Sequence, residues 1–408
     1  MSTRLPHYLL AIFLLLISGC SKNRIAAGGG ENNAGGGSIY ANPDALTFTP
    51  EHHAYMLQTA YLSLAYTFPP QSDMTAISDA ADNDAAQEAY ETAIDTLVES
   101  GAIKERLIDY GINLLGVGDK YAGTEQQRYP ANLFAYVVLT GKKIDEFLLA
   151  DYAINDAGNV VTQTYAGGPP TSVQAGYITM EEYAKKYIDT RFMFKIIREI
   201  LGTNLISKAP FNNVKLFSWT AEQMNPKYVT QENNTTVCLA CHSYLNPLRA
   251  AFHKYNGAYN TYNAGTVQGD NQYGQEDSVG NPLEPRNESN GNILTPAQAA
   301  PIYKLTEDGG SIASPKDFAE EIIQHEKFPY AWTVRLLTIL LNIDEGTPGA
   351  GNVVPNPFAS NEAQENFAEE WTTKFKDLDR KPKEFIRAFL KSNAYLVTGY
   401  NPTTAGVE

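Results

Sequence analysis

Residues 238–242 read Cys-Leu-Ala-Cys-His, and no other stretch constrains the chain as tightly. Two thiols separated by two residues, with an imidazole directly after them, form the c-type haem attachment pattern. The spacing has a chemical reason. Each thiol, on Cys238 and on Cys241, adds to one haem vinyl group, and the short loop between the two thioethers holds the ring. His242 is then placed under the iron as proximal ligand, with the opposite ligand, burial and hydrogen bonding left to tune the metal. One covalent haem c is the expected cofactor. The chain has only three cysteines, so this motif takes two of them.

Two other uses of these residues stay open. Zinc could take Cys238, Cys241 and His253 with one more ligand, but structural zinc sites need four protein ligands at recognisable spacing and a second pair is missing. A redox disulfide also uses C-x-x-C. No βαβ pattern surrounds this one, and the immediate histidine is better explained by iron. The sixth iron ligand is the next question. No methionine follows His242, unlike small soluble cytochromes c, where a downstream methionine raises the potential. His325 shares an apolar periodicity with Phe318 and Ile322, and Met224 lies upstream; these two are the candidates, with Met193 behind them. His253 follows too closely on the proximal side. His52 and His53, in a first helical turn, read as solvent-facing. An open sixth position would instead admit a small ligand such as peroxide.

The third cysteine belongs to the leader. Arg4 supplies a positive n-region, residues 9–17 form an apolar run too short for a membrane span, and Ile17-Ser18-Gly19-Cys20 resembles the bacterial lipobox. That resemblance implies removal of residues 1–19 and lipidation of Cys20. Residues 20–38, with two Gly-Gly-Gly runs, read as a flexible tether. Export fits the motif, because c-type haem is attached outside the cytoplasm. The expected location is the cell envelope, lipid-anchored, on the periplasmic or the outer-membrane and extracellular face. A net charge of −15 argues against nucleic acid as a partner and is compatible with a basic redox protein.

The remaining chain is long enough for one large core or two, read as helical regions over residues 39–205 and 206–408. The pattern predicts a mostly α, multi-helix globular body with long loops. Thr49-Pro50 reads as a cap before a helix carrying Leu57, Tyr61 and Leu64, ended by Pro69-Pro70; a second helix carries Ala86, Tyr90, Ile94 and Leu97, and a third runs over 102–115. One apolar segment covers 133–149. Thr179 to Glu182 fits a capping box opening a helix to about residue 201, and residues 159–164 form a possible hairpin arm. Asn246-Pro247 opens a helix with Leu248, Ala251 and Phe252 as its stripe. Residues 260–292 read as a long loop. Ser314-Pro315 opens another helix, 331–341 is a buried core helix, Phe367, Trp371 and Phe375 mark the next, and 385–395 the last.

The segment Cys238 to Leu248, with Phe252, Tyr255 and Gly257 after it, resembles the haem region of the planctomycete-type cytochrome family. Leu148 to Tyr152, the Asp317-Phe318 helix with Phe328, and residues 385–396 are weaker points of likeness. The resemblance implies a mostly helical fold, covalent haem and an exported location, and it carries no settled activity. The expected function is electron transfer with a redox partner protein. The alternatives are a peroxidase-like haem enzyme with an open iron position and an envelope scaffold lipoprotein in which the haem is structural.

Overall fold

The computed structural model describes residues 47–117, 123–187, 196–197, 199–201, 216–218, 220, 243–244, 247–248, 250–252, 304–343, 358 and 362–398. Helix α1, Pro50–Leu64, begins as its sequence asks: the Thr49 hydroxyl accepts from the His52 N–H at 3.3 Å, and Pro50 takes the first helical position, where no donor is lost. Its inner face buries Met56, Leu57, Ala60, Tyr61 and Leu64. Helices α2, Gln71–Ser78, and α3, Asn83–Glu99, close a three-way packing with α1. Asp82 caps α3 by accepting from the Ala85 N–H at 2.9 Å.

Helix α4, Lys104–Leu115, lies against α5, Glu125–Leu139, along much of its length. Gly111 permits the close approach, since a β-carbon there would lie 3.0 Å from the Ala131 Cα. A capping box formed by Thr124 and Gln127 opens α5. The apolar segment 133–149 is not one helix. Gly141, at φ +67°, ends it, and a single turn, α6, Glu146–Leu149, follows. The chain then forms a small antiparallel hairpin, β1, Tyr152–Ile154, against β2, Val160–Thr162, with Tyr152 opposite Thr162. It is the only sheet among the described residues.

The capping box expected at Thr179 does not form. Thr179 closes a 3₁₀ turn, Gly176–Thr179, and its hydroxyl is used inside the fold, accepting from the Ala175 N–H at 2.8 Å and donating to Gln163 Oε1 at 2.7 Å. Helix α7, Glu181–Tyr187, starts beyond it.

Helix α8, Pro315–Ile322, has the expected cap, with Ser314 Oγ accepting from the Asp317 N–H at 3.2 Å. Helix α9, Lys327–Leu340, is the buried core helix, entered earlier than the apolar run implied and carrying Trp332, Leu336 and Leu337 fully inside. Helix α10, Glu362–Asp377, buries Ala368, Trp371 and Phe375. The last segment is two helices, α11, Pro382–Leu390, and α12, Asn393–Thr398. Ser392 separates them, its hydroxyl accepting from the Tyr395 N–H at 3.3 Å.

The end of the chain packs on its beginning. Helices α9 and α12 lie on α1, and α11 lies on α3 and α5. The buried Tyr90 hydroxyl of α3 donates to the Leu390 carbonyl at 2.7 Å. Around it, Arg387 meets Asp95 and Glu99, Lys383 meets Glu99, and Lys391 meets Asp95. Buried apolar residues from both ends form one continuous cluster. The body is therefore mostly helical, and among the described residues no helix is long and apolar enough to cross a membrane.

Candidate functional site

Cys20, Met193, Met224, Cys238, Cys241, His242 and His253 lie outside the described residues. The segment leaving the motif is described in part. Ser243 and Tyr244 are already helical, so the turn begins before Asn246, where the sequence pattern placed a cap. Pro247 and Leu248 are helical as well, and Ala250–Phe252 form a 3₁₀ turn. Leu248, Ala251 and Phe252 are buried as expected. The Phe252 ring stands edge-on to Phe318 of α8, with centroids 5.7 Å apart. The chain beyond the motif is thus fixed in the core against α8.

Helix α8 packs in turn on α6, and α6 on the 3₁₀ turn of Gly176–Thr179. Here a cluster of rings fills the interior. Phe147 stacks on Tyr177 at 4.5 Å and meets Trp332 edge-on at 5.6 Å, and Tyr183 stands edge-on to Tyr177 at 4.8 Å. The cluster holds buried polar groups. Tyr183 donates to Glu199 Oε2 at 2.6 Å, and Arg335 Nε donates to the Glu199 carbonyl at 2.8 Å. The Tyr177 hydroxyl is buried beside Tyr183, and the Trp332 indole N–H is buried without a hydrogen-bond partner among the described residues. Burial, and then the Glu199 charge, hold the Tyr177 hydroxyl well above the usual phenol range. The sequence gives no sign of this cluster, because its members are spread from Phe147 to Arg335 among many other aromatic residues.

His325 does not share a helical face with Phe318 and Ile322, because α8 ends at Ile322. It sits buried in the turn before α9, where its Nδ1 accepts from the Lys327 N–H at 3.1 Å. A neutral ring used this way carries its proton on Nε2, whereas ligation through Nε2 requires the other tautomer. Beside this turn, Arg380 donates to the Ile323 carbonyl at 2.8 Å, pairs with Asp145 at the start of α6, and lies over the Phe328 ring.

The outward reading of the two neighbouring histidines needs correction for His53. It is buried between Phe48 and Tyr90, with Nδ1 against the Thr49 carbonyl at 3.1 Å. Phe48 closes over it, a packing that a first-turn position does not reveal. His52 stacks on Phe48, and its Nε2 lies 2.8 Å from the Leu396 carbonyl.

Among the described residues no group of three or more His, Cys, Asp or Glu side chains is placed to hold a metal ion. The thiols and imidazole of the Cys238–His242 motif lie outside the described residues. No protein-family model matches the chain, and no curated protein or solved structure matches it either.

Proposed function

We propose that the chain is an exported, lipid-tethered c-type cytochrome that passes single electrons to a partner protein. The observation that carries this reading is Cys238-Leu239-Ala240-Cys241-His242 in a chain whose one other cysteine, Cys20, lies in a lipobox-like leader. Cys238 and Cys241 would hold the haem, and His242 would take the proximal position. When bound, the group supplies a reversible one-electron change at iron. The protein's part is to fix the ring and cover it. Ala251 and Phe252, seated against α8, and the buried Leu248 support that role, because an anchored chain after the motif limits the movement of a ring held just before it.

For the sixth position, the Lys327 contact of His325 weighs against His325 and leaves Met224, Met193 or an open position. The resemblance to planctomycete-type cytochromes rests on the haem segment and supports covalent attachment. The large helical body beyond that segment offers surface for a redox partner.

The test is a haem stain on a denaturing gel, with the chain exported in a host that has c-type maturation machinery, beside a Cys238→Ala/Cys241→Ala control. A stained band that vanishes in the control is the expected result. No stain in a folded chain sinks the proposal. Adding cyanide or carbon monoxide then separates carrier from enzyme, since a six-coordinate carrier leaves its spectrum unchanged and an open iron position does not.

A further inference from the structure

Among the described residues, the large hydrophobic side chains left exposed are Tyr55, Leu62, Tyr66, Phe68 and Val160. Four of these five fall on α1 and the turn after it. Tyr55, Leu62 and Tyr66 follow helical spacing along the side opposite the buried Met56, Leu57, Ala60 and Leu64. Helix α1 is therefore apolar on two faces, and only one of them meets the core. A helix of that kind has a second apolar environment to meet. The outer face is well open, with Tyr55 51 %, Tyr66 54 % and Phe68 67 % exposed. No Asp, Glu, Lys or Arg occurs from His52 to Ser72, in a chain that is 19 % charged overall.

Tyr66 adds an independent observation. It stands just past the end of α1 at φ +54°, in the left-handed region where glycine is favoured and a bulky residue is strained. The ring is nonetheless open to solvent, with its hydroxyl on Asp109 Oδ2 at 3.2 Å.

We propose that this face docks on the bilayer surface, laying the body against the membrane that carries its anchor; the inference rests on the reading of Cys20 as the lipidated residue. The chemistry points to a zwitterionic lipid interface. Tyrosines with an apolar body and a polar tip settle at headgroup depth. The carboxylates bordering the patch are Glu51, one turn before Tyr55, and Asp109, held on the Tyr66 hydroxyl, so phosphatidylcholine or phosphatidylethanolamine suits it, where an anionic surface would repel an acidic protein. Position agrees. Fewer than thirty residues separate Cys20 from Thr49, and a Gly-rich chain of that length reaches on the order of 30 Å, so α1 is the element delivered first to the surface.

The test uses two preparations of the full mature chain: the form purified from membranes, and a Cys20→Ala form exported behind a cleavable leader. Each is floated with phosphatidylcholine vesicles. The Cys20→Ala chain is expected to partition onto vesicles, and Y55S/L62S/Y66S/F68S in that background to lose at least about tenfold in partition coefficient with unchanged helix content and melting. A Tyr66→Trp variant is expected to be quenched by brominated lipid. The proposal is overturned if the Cys20→Ala chain stays off the vesicles, if the fourfold variant floats equally well, or if the face instead holds two copies together in a dimer that the variant separates. The anchor reading fails separately, through a mass of the membrane-purified chain that lacks a diacylglycerol.

Discussion

At Gly176 a single hydrogen in place of a side chain decides whether two segments can meet. Its φ is +45°, and a β-carbon there would lie 2.0 Å from the Phe147 carbonyl oxygen and 2.7 Å from the Leu148 Cα, both backbone atoms. Its N–H donates to the Ala150 carbonyl at 2.9 Å. Gly176→Ala is therefore expected to cost at least about 3 kcal/mol in chemical denaturation, more than a surface glycine of similar φ such as Gly158, which has open space around it. His53 makes a prediction in pH. With Nδ1–H donated to the Thr49 carbonyl, the buried Nε2 has no partner among the described residues. Burial lowers its pKa below the ordinary 6.5, a shift the Thr49 carbonyl opposes. A histidine depressed in the folded state adds stability above its unfolded pKa and loses it as pH falls through the folded value. Melting temperature should thus decline from pH 6.5 toward pH 5, and His53→Gln should flatten that decline; an equal slope in the variant would assign it to other groups.

Helix ends and helix junctions carry most of what holds the elements in place. Arg380 joins three of them: the Ile323 carbonyl after α8, Asp145 before α6, and Phe328 at the start of α9. Burial raises the Asp145 carboxyl above the usual range, and Arg380 is the first of the groups that oppose this. Arg380→Ala leaves that carboxylate without its main partner and should cost about 2–4 kcal/mol in urea unfolding. Arg380→Lys should recover only part of the loss, because an ammonium cannot serve both acceptors in a plane. The elements differ in how readily the sequence announced them. Thr49-Pro50 and Ser314-Pro315 were legible because cap and first turn are local chemistry. The breaks at Gly141 and Ser392 are marked only by short polar stretches, Thr140-Gly141-Lys142-Lys143 and Lys391-Ser392-Asn393, and the apolar residues on both sides let each segment read as one. Thr179 misled for a related reason: its hydroxyl had a local use and a tertiary one, and Gln163, far away in sequence, took it. The Tyr177–Glu199–Trp332 cluster was invisible, since nothing in the spacing of its members foretells that Phe147 brings them together.

On the scale of the molecule, the beginning and the end of the chain complete one another. Helices α11 and α12 cover α1 and α3, with Tyr90 bonded to Leu390 and the basic side chains of α11 set against Asp95 and Glu99. Ending the chain before Pro382 strips Phe385, Phe389, Tyr395 and Leu396 from the common core. Such a chain is expected to lose cooperative melting by calorimetry, rather than to show a merely lowered transition. The Cys238–His242 motif falls between these two ends in sequence. The proposed haem attachment rests on a fixed spacing that a sequence displays, whereas a sixth ligand would be chosen by tertiary placement, which no local pattern encodes.

The same arrangement sets an order in time. A chain that emerges N-terminus first presents α1 and α3 almost at once, yet the helices that cover them arrive nearly last. Until residues 382–398 appear, α3 lacks the cover of α11, α1 lacks that of α12, and the Tyr90 hydroxyl lacks its acceptor on Leu390. Contacts that span most of the sequence close slowly, and surfaces left waiting are where chains stick to one another. Those surfaces of α1 and α3 thus wait while everything between Glu99 and Pro382 is made, which is the interval in which neighbouring chains would meet them.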